Sequence, residues 1–304
     1  MTFLHLLEEI RTPVGDFFFS MITRLGEETV FLIIGLLFFW CVDKAEGYYL
    51  ILTGLCGTLL NQFLKIVCRV PRPWVLDDKM TIVESARAGA AGYSFPSGHT
   101  QTSVGLYGGI ARWNQNKIVR AIGILLGILV AFSRMYLGVH TPYDVGAAAI
   151  MAVFLLAVIY PVVQKAKEHP GYLRILFAAI TGVAAIYVCY MEYYTFPVDV
   201  DTANLGSAMK NAYMLSGAVL GIWLTYEVDH RFLHFETQAV WWAQILKLTG
   251  GILLILAVRI LLKTPLHAIF EGYLADGIRY FIVVVMAGCV WPMTFPWFRR
   301  LGRK

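Results

Sequence analysis

Three stretches of this sequence carry residue types that could do chemistry. They are Lys65-Ile-Val-Cys-Arg-Val-Pro-Arg72-Pro73, Phe95-Pro96-Ser97-Gly98-His99 and Ser133-Arg134-Met-Tyr-Leu-Gly-Val-His140-Thr-Pro-Tyr-Asp144. Lys65, Arg72 and Arg134 supply three positive charges, and the planar forks of the two arginines match the oxygens of a phosphate. Ser97-Gly98-His99 reads as a helix start with Ser97 as N-cap. Free backbone N–H groups there would attract an anion, and Gly98 would let it come close. Thr141-Pro142 reads as the N-cap and first residue of a second helix, which puts Asp144 in its first turn. From there its carboxylate can reach back to one nitrogen of His140 and fix the tautomer, leaving the other nitrogen free to attack phosphorus. His99, on the facing helix start, can protonate a departing oxygen and later activate water.

These groups must be positioned by a chain that does not have the composition of a soluble protein. Of its 304 residues 58% are hydrophobic and 15% charged, with a mean hydropathy of +0.65; soluble domains carry about 25% charged residues. Nine stretches approach the roughly 20 apolar residues of a membrane span: 29–42, 47–68, 98–113, 118–136, 142–164, 172–191, 207–226, 240–262 and 273–295. The expected fold is therefore all-α, a polytopic membrane helix bundle. Gly105 with Gly109 and Gly123 with Gly127 lie four apart, which lets helix backbones approach closely. Span parity puts all three chemical clusters on one face. Most of the remaining Lys and Arg, including Lys44, Arg112, Arg120, Lys165, Arg231 and the tail Arg299, Arg300, Arg303 and Lys304, fall on the other. The positive-inside rule makes that other face cytoplasmic, with the N-terminus outside and the C-terminus inside.

Ahead of the first span there is no signal-peptide pattern. Instead Phe3, Leu6, Leu7 and Ile10 recur at helical spacing opposite His5, Glu8, Glu9 and Arg11, and the pattern resumes after Pro13. Two short amphipathic helices in the membrane interface, or packing against the protein's own spans, explain these stripes equally well. The net charge of +5 is spread between apolar runs, which excludes a nucleic-acid surface. Five scattered cysteines without a CxxC pair read as apolar fillers. His230 and His234 are four apart but lack a third ligand, and residues 197–201 lack the frame of a calcium loop, so both read as polar turns. Trp241, Trp242, Trp291 and Trp297 read as interface anchors.

The three clusters together resemble the type 2 phosphatidic acid phosphatase superfamily, which also contains the vanadium haloperoxidases. The pattern K-x6-R-P, P-S-G-H, S-R-x5-H-x3-D is met at all eleven specified positions. The resemblance implies a six-helix catalytic core over residues 29–191, preceded by the amphipathic helices of 1–28 and followed by additional spans in 192–304. It implies His140 as nucleophile, Asp144 as its partner and His99 as general acid, with Lys65, Arg72, Ser97, Gly98 and Arg134 holding phosphate. It implies no metal and no other cofactor. Nine spans with the N-terminus outside are similar to the glucose-6-phosphatase branch. The expected partners are membrane lipids and a phosphorylated lipid substrate such as a polyprenyl diphosphate, phosphatidic acid or phosphatidylglycerol phosphate. The alternatives are a small soluble phosphoester or a non-hydrolytic lipid-phosphate binder or transporter. The absence of a dilysine tail and of any Asn-x-Ser/Thr acceptor points to a bacterial plasma membrane, with the site on the extracytoplasmic face. Oligomeric state has no signature in the sequence.

Overall fold

The computed structural model describes residues 1–198 and 200–301. Asp199 of the acidic stretch and the tail residues Arg303 and Lys304 lie outside them. Each of the nine apolar stretches is helical. Among the described residues, six helical segments are long and apolar enough to cross a membrane: Lys44–Leu76, Lys117–Tyr136, Pro142–Ala166, Gly171–Tyr193, Trp241–Ile269 and Leu274–Arg300. A seventh is formed if Pro13–Arg24 and Glu28–Val42, bent by 46°, count as one broken span. The chain is a multi-pass membrane protein whose regular structure, among the described residues, is all helical.

Two compact units divide the chain, Met1–Leu32 with Tyr49–Pro161, and Ile33–Tyr48 with Val162–Lys304. The first holds α1 (Thr2–Glu9), α2 (Pro13–Arg24), most of α4 (Lys44–Cys68), the short α5 (Pro73–Leu76), α6 (Gly98–Trp113), α7 (Lys117–Tyr136) and most of α8 (Pro142–Ala166); α3 (Glu28–Leu37) links it onward. Local chemistry sets the helix starts. Thr12 Oγ1 caps α2 at Gly15 N (3.1 Å) with Pro13 next in line, and Asn116 caps α7 at Ile118 N (2.8 Å). The α6–α7 pair packs through Gly123, where a Cβ would stand 2.6 Å from the Tyr107 carbonyl oxygen. Any side chain there would force the two backbones apart.

In the second unit α9 (Thr202–Val228) lies against α10 (Leu274–Val285) in the same way, since a Cβ on Gly217 would meet the Gly277 carbonyl. Lys44 Nζ donates to Asp229 Oδ2 (2.7 Å) and to the Phe235 carbonyl (3.1 Å). His230 stacks on Tyr226, and His234 ends its turn in the left-handed region at φ 45°. Trp241 and Trp297 are exposed, as interface anchors would be, whereas Trp291 donates Nε1 to the Lys247 carbonyl (3.1 Å) inside the unit.

The amphipathic stripe of α1 has a partner on each side. Leu4 and Leu7 are buried with Met80, while Phe3, Leu6 and Ile10 stay exposed. Its polar residues bind the loop that follows α5. His5 Nε2 and Nδ1 face Asp77 (2.9 Å) and Glu8 (3.1 Å), Glu8 accepts from Thr81 N (3.0 Å), and Arg11 donates to the Thr81 and Tyr136 carbonyls (2.8 and 2.9 Å). Both imidazole nitrogens of His5 look at carboxylates, so the bridge is complete only when the ring is protonated. Its hydrogen bonds to Asp77 and Glu8 raise the His5 pKa above 6.5. A raised pKa means the bridge holds at lower pH and is lost as pH rises through that value. Hydrogen exchange at Thr81, corrected for intrinsic rates, should therefore be faster at about pH 8.5 than at about pH 6, and His5→Gln should remove the difference.

Candidate active site

All eight residues singled out by type and spacing lie in the first unit, at one end of α4, α6, α7 and α8. Lys65, in the last turn of α4, donates Nζ to the Tyr93 carbonyl (2.6 Å). Arg72, in the N-cap position of α5, spends four of its five N–H donors within the protein. Its Nε donates to the Gly92 carbonyl (2.9 Å), Nη2 to Ala91 (2.8 Å), and Nη1 to both the Val139 carbonyl (3.0 Å) and His140 Nε2 (2.8 Å). The two-arginine grip therefore starts from unequal states. Arg134 makes one side-chain bond, Nη1 to Thr23 Oγ1 (2.7 Å), while its Nε and Nη2 are buried without a protein partner. A buried guanidinium with two adjacent unspent donors suits a bidentate oxyanion.

Ser97 caps α6 as its type implies, accepting from Thr100 N (3.4 Å) and Thr100 Oγ1 (2.9 Å). Its own amide differs from expectation: it is spent on the Asp144 carbonyl (3.1 Å), which ties the start of α6 to the start of α8. Gly98 remains the open approach, because a Cβ there would meet only Asn61 Oδ1, at 3.8 Å. His99 lies half-buried under the loop, 3.7 Å from where a Gly89 Cβ would stand. Residues 74–93 thus close over this end of the unit, with Ala86 and Ala90 packed on Tyr136, Leu137 and Val139.

His140 is 2% exposed and Asp144 1%. Asp144 Oδ2 accepts from Thr141 N (2.7 Å) and Thr141 Oγ1 accepts from Asp144 N (3.3 Å), a reciprocal cap on α8. That cap aims the carboxylate back toward His140, but Oδ2 and Nδ1 are 3.5 Å apart. Ser94 Oγ sits beside both, 2.6 Å from Oδ2 and 3.4 Å from Nδ1. Burial, followed by the charges of Arg72, Arg134 and Lys65, holds His140 well below the usual imidazole range, so the ring is neutral. Arg72 has only donors, so His140 Nε2 must be the accepting nitrogen. The arrangement presents a neutral imidazole whose Nε2 lone pair faces Arg72 while the charges of Arg134 and Lys65 act on the ring, the electrostatics that attack on an anionic phosphoester requires.

A model of the PAP2 superfamily matches residues 46–168, and a model of the PAP2 superfamily phosphatase transmembrane extension matches residues 213–303. The chain belongs to the PAP2 superfamily. Every motif residue named above falls inside the first PAP2 match. Undecaprenyl-diphosphatase BcrC of Bacillus subtilis is 31% identical over 113 residues, 37% of this chain and 55% of that protein. Sphingosine-1-phosphate phosphatase 1 of Mus musculus is 24% identical over 266 residues, 81% of this chain and 59% of that protein. The chain thus spans less than two thirds of the length of either relative. The crystal structure of Aquifex aeolicus LpxE aligns with a TM-score of 0.47 and 26% identity, over 53% of this chain and 93% of that one.

Three residues at the PAP2 site gave no sign in the sequence. Asn61 donates to the Pro96 carbonyl (3.2 Å), Thr23 reaches Arg134 from α2, and Ser94 joins His140 to Asp144. Thr23 precedes the PAP2 match altogether, and no spacing rule connects it to a residue more than a hundred positions away. The depressed pKa of His140 has a consequence for stability. The unfolded chain takes up a proton there as pH falls through about 6.5 and the folded chain does not, so the folded state loses stability toward acid. Thermal unfolding from about pH 8 to about pH 5 should show a shallower loss in His140→Gln than in wild type, because that proton uptake is gone.

Proposed function

We propose that this PAP2 protein is an integral membrane phosphatase that hydrolyses a lipid phosphate or diphosphate through a phosphohistidine intermediate. The observation that carries the reading is the buried, neutral His140 with its Nε2 lone pair turned toward Arg72 and the basic residues around it. Arg134 receives phosphoryl oxygens on Nε and Nη2, while Lys65, Arg72 and the start of α6 at Ser97 and Gly98 complete the cradle and stabilise the equatorial oxygens. The Nε2 lone pair of His140 forms a P–N bond as the P–O bond to the leaving group breaks. The leaving oxygen keeps that electron pair and takes a proton from His99. Water then attacks phosphorus, His99 takes its proton, and the P–N bond breaks with its electrons returning to Nε2. Asp144 balances the charge on His140 while the intermediate lasts.

A lipid substrate is favoured by the matched relatives, whose names give undecaprenyl diphosphate and sphingosine 1-phosphate, and by the position of the site at the ends of apolar helices. In this reading residues 29–191 are the catalytic core and 192–304 the added spans. The site opens on the extracytoplasmic face of a bacterial plasma membrane. Three cationic side chains supply the positive charge that the transferring phosphoryl group needs, so the reaction is proposed to run without a metal.

The test is phosphate release by detergent-purified protein in the presence of EDTA, with polyprenyl diphosphate, sphingosine 1-phosphate, phosphatidic acid and glucose 6-phosphate side by side. The expected result is release from the lipids well above release from the sugar phosphate, falling by roughly 1,000-fold or more in folded His140→Ala. Full activity in that variant would overturn the nucleophile, and a preference for the sugar phosphate would overturn the lipid assignment.

A further inference from the structure

The hydrogens around His140 can be placed by counting donors and acceptors. Arg72 Nη1, 2.8 Å from Nε2, can only donate. Nε2 therefore accepts, and a neutral imidazole must then carry its proton on Nδ1. The nearest acceptors for that proton are Ser94 Oγ at 3.4 Å and Asp144 Oδ2 at 3.5 Å, both at the long limit of a hydrogen bond. Ser94 Oγ stands 2.6 Å from Oδ2, within the range of a hydroxyl donating to a carboxylate. The serine proton is thereby committed to Asp144, and its lone pairs face Nδ1–H. Oδ2 already accepts from Thr141 N at 2.7 Å, so the serine and the Thr141 amide take up this oxygen between them.

We propose that Ser94 is a positioning residue that relays the charge of Asp144 to His140, so that the chain Nδ1–H to Ser94 Oγ–H to Asp144 Oδ2 sets the tautomer of the nucleophile. Ser94 is fully buried, and its backbone is pinned on either side of the hydroxyl. Its own amide donates to the Val70 carbonyl (2.8 Å), and Asn61 holds the Pro96 carbonyl two residues on (3.2 Å). The partner groups are equally fixed, since the amide of His140 donates to the Arg134 carbonyl (3.2 Å) and Asp144 is locked in the cap of α8. When Nε2 bonds to phosphorus the ring becomes cationic. The Nδ1–H bond to Ser94 then strengthens, because the serine oxygen is polarised by the carboxylate behind it. The relay makes its largest contribution in the transition state and the intermediate, not in substrate binding.

This inference rests on the phosphohistidine reading, and its test separates the two. Steady-state kinetics of phosphate release would be measured for wild type, Ser94→Ala, Asp144→Asn and the double variant, with His140→Ala as background and thermal unfolding as the check on folding. Ser94→Ala should lower kcat by roughly 10- to 100-fold with KM changed by no more than about threefold. The double variant should fall no more than about twofold below Asp144→Asn alone, because the relay has nothing to carry once the charge is gone. Ser94→Cys, close in size and a weaker donor, should fall between wild type and Ser94→Ala, and it takes over the test if the alanine variant does not fold. Wild-type kcat in either folded Ser94 variant, or full additivity with Asp144→Asn, would overturn the relay. Release that is unaffected by His140→Ala would overturn the phosphohistidine reading itself.

Discussion

Three cations and one carboxylate are brought together out of water at the end of the first unit, and much of that end of the unit serves to make this tolerable. Burying an ion costs several kcal/mol unless it is paired or hydrogen-bonded. Asp144 can balance only one of Lys65, Arg72 and Arg134. Backbone dipoles compensate two of them, since the Ala91, Gly92, Tyr93 and Val139 carbonyls all point at Arg72 or Lys65, and Arg134 is met by Thr23 Oγ1. To deliver three successive carbonyls the loop must turn sharply. Gly92 does so at φ 71°, in the left-handed region that glycine enters without a steric cost.

The same positive field suits His140 to the proposed role of nucleophile. An imidazole in water would be partly protonated near neutrality, whereas one surrounded by buried cations stays neutral and keeps its lone pair. Two helix starts then act together. The amide of Ser97 on α6 is tied to the carbonyl of Asp144 on α8, which joins the proposed phosphate cradle to the proposed partner of the nucleophile. The N-terminal helices add support from outside the family-matched segment. α1 and the residues just after it hold the covering loop through His5, Glu8 and Arg11, and α2 offers Thr23 to Arg134. One of the arginine's donors is fixed and two are left to face an oxyanion.

Much of this was legible in the residues themselves. Apolar runs of helical length gave nine segments that are all helical, and Ser97 and Thr141 marked their helix starts correctly because N-cap chemistry is local. The motif residues were legible because side chains of opposite charge and matching hydrogen bonding are rare among apolar spans. What could not be read were groups whose importance comes only from where the fold puts them. Ser94 and Thr23 are ordinary hydroxyls in sequence, and the carbonyls that bracket Arg72 have no side-chain signature at all. The helix-start pattern points the Ser97 amide at an anion, and only the packing of α6 against α8 shows that it is already used. The polar face of α1 likewise had two readings open, and the loop it binds lies some seventy residues away.

The account turns on His140 forming a covalent bond to phosphorus, and the stereochemistry of the transfer reports on this directly. A phosphate monoester substrate made chiral with the three oxygen isotopes would be turned over with an alcohol in place of water, and the configuration of the product phosphate ester determined. Two in-line displacements, the first by His140 Nε2, predict overall retention. Inversion would mean a single direct displacement at phosphorus and would contradict the central claim.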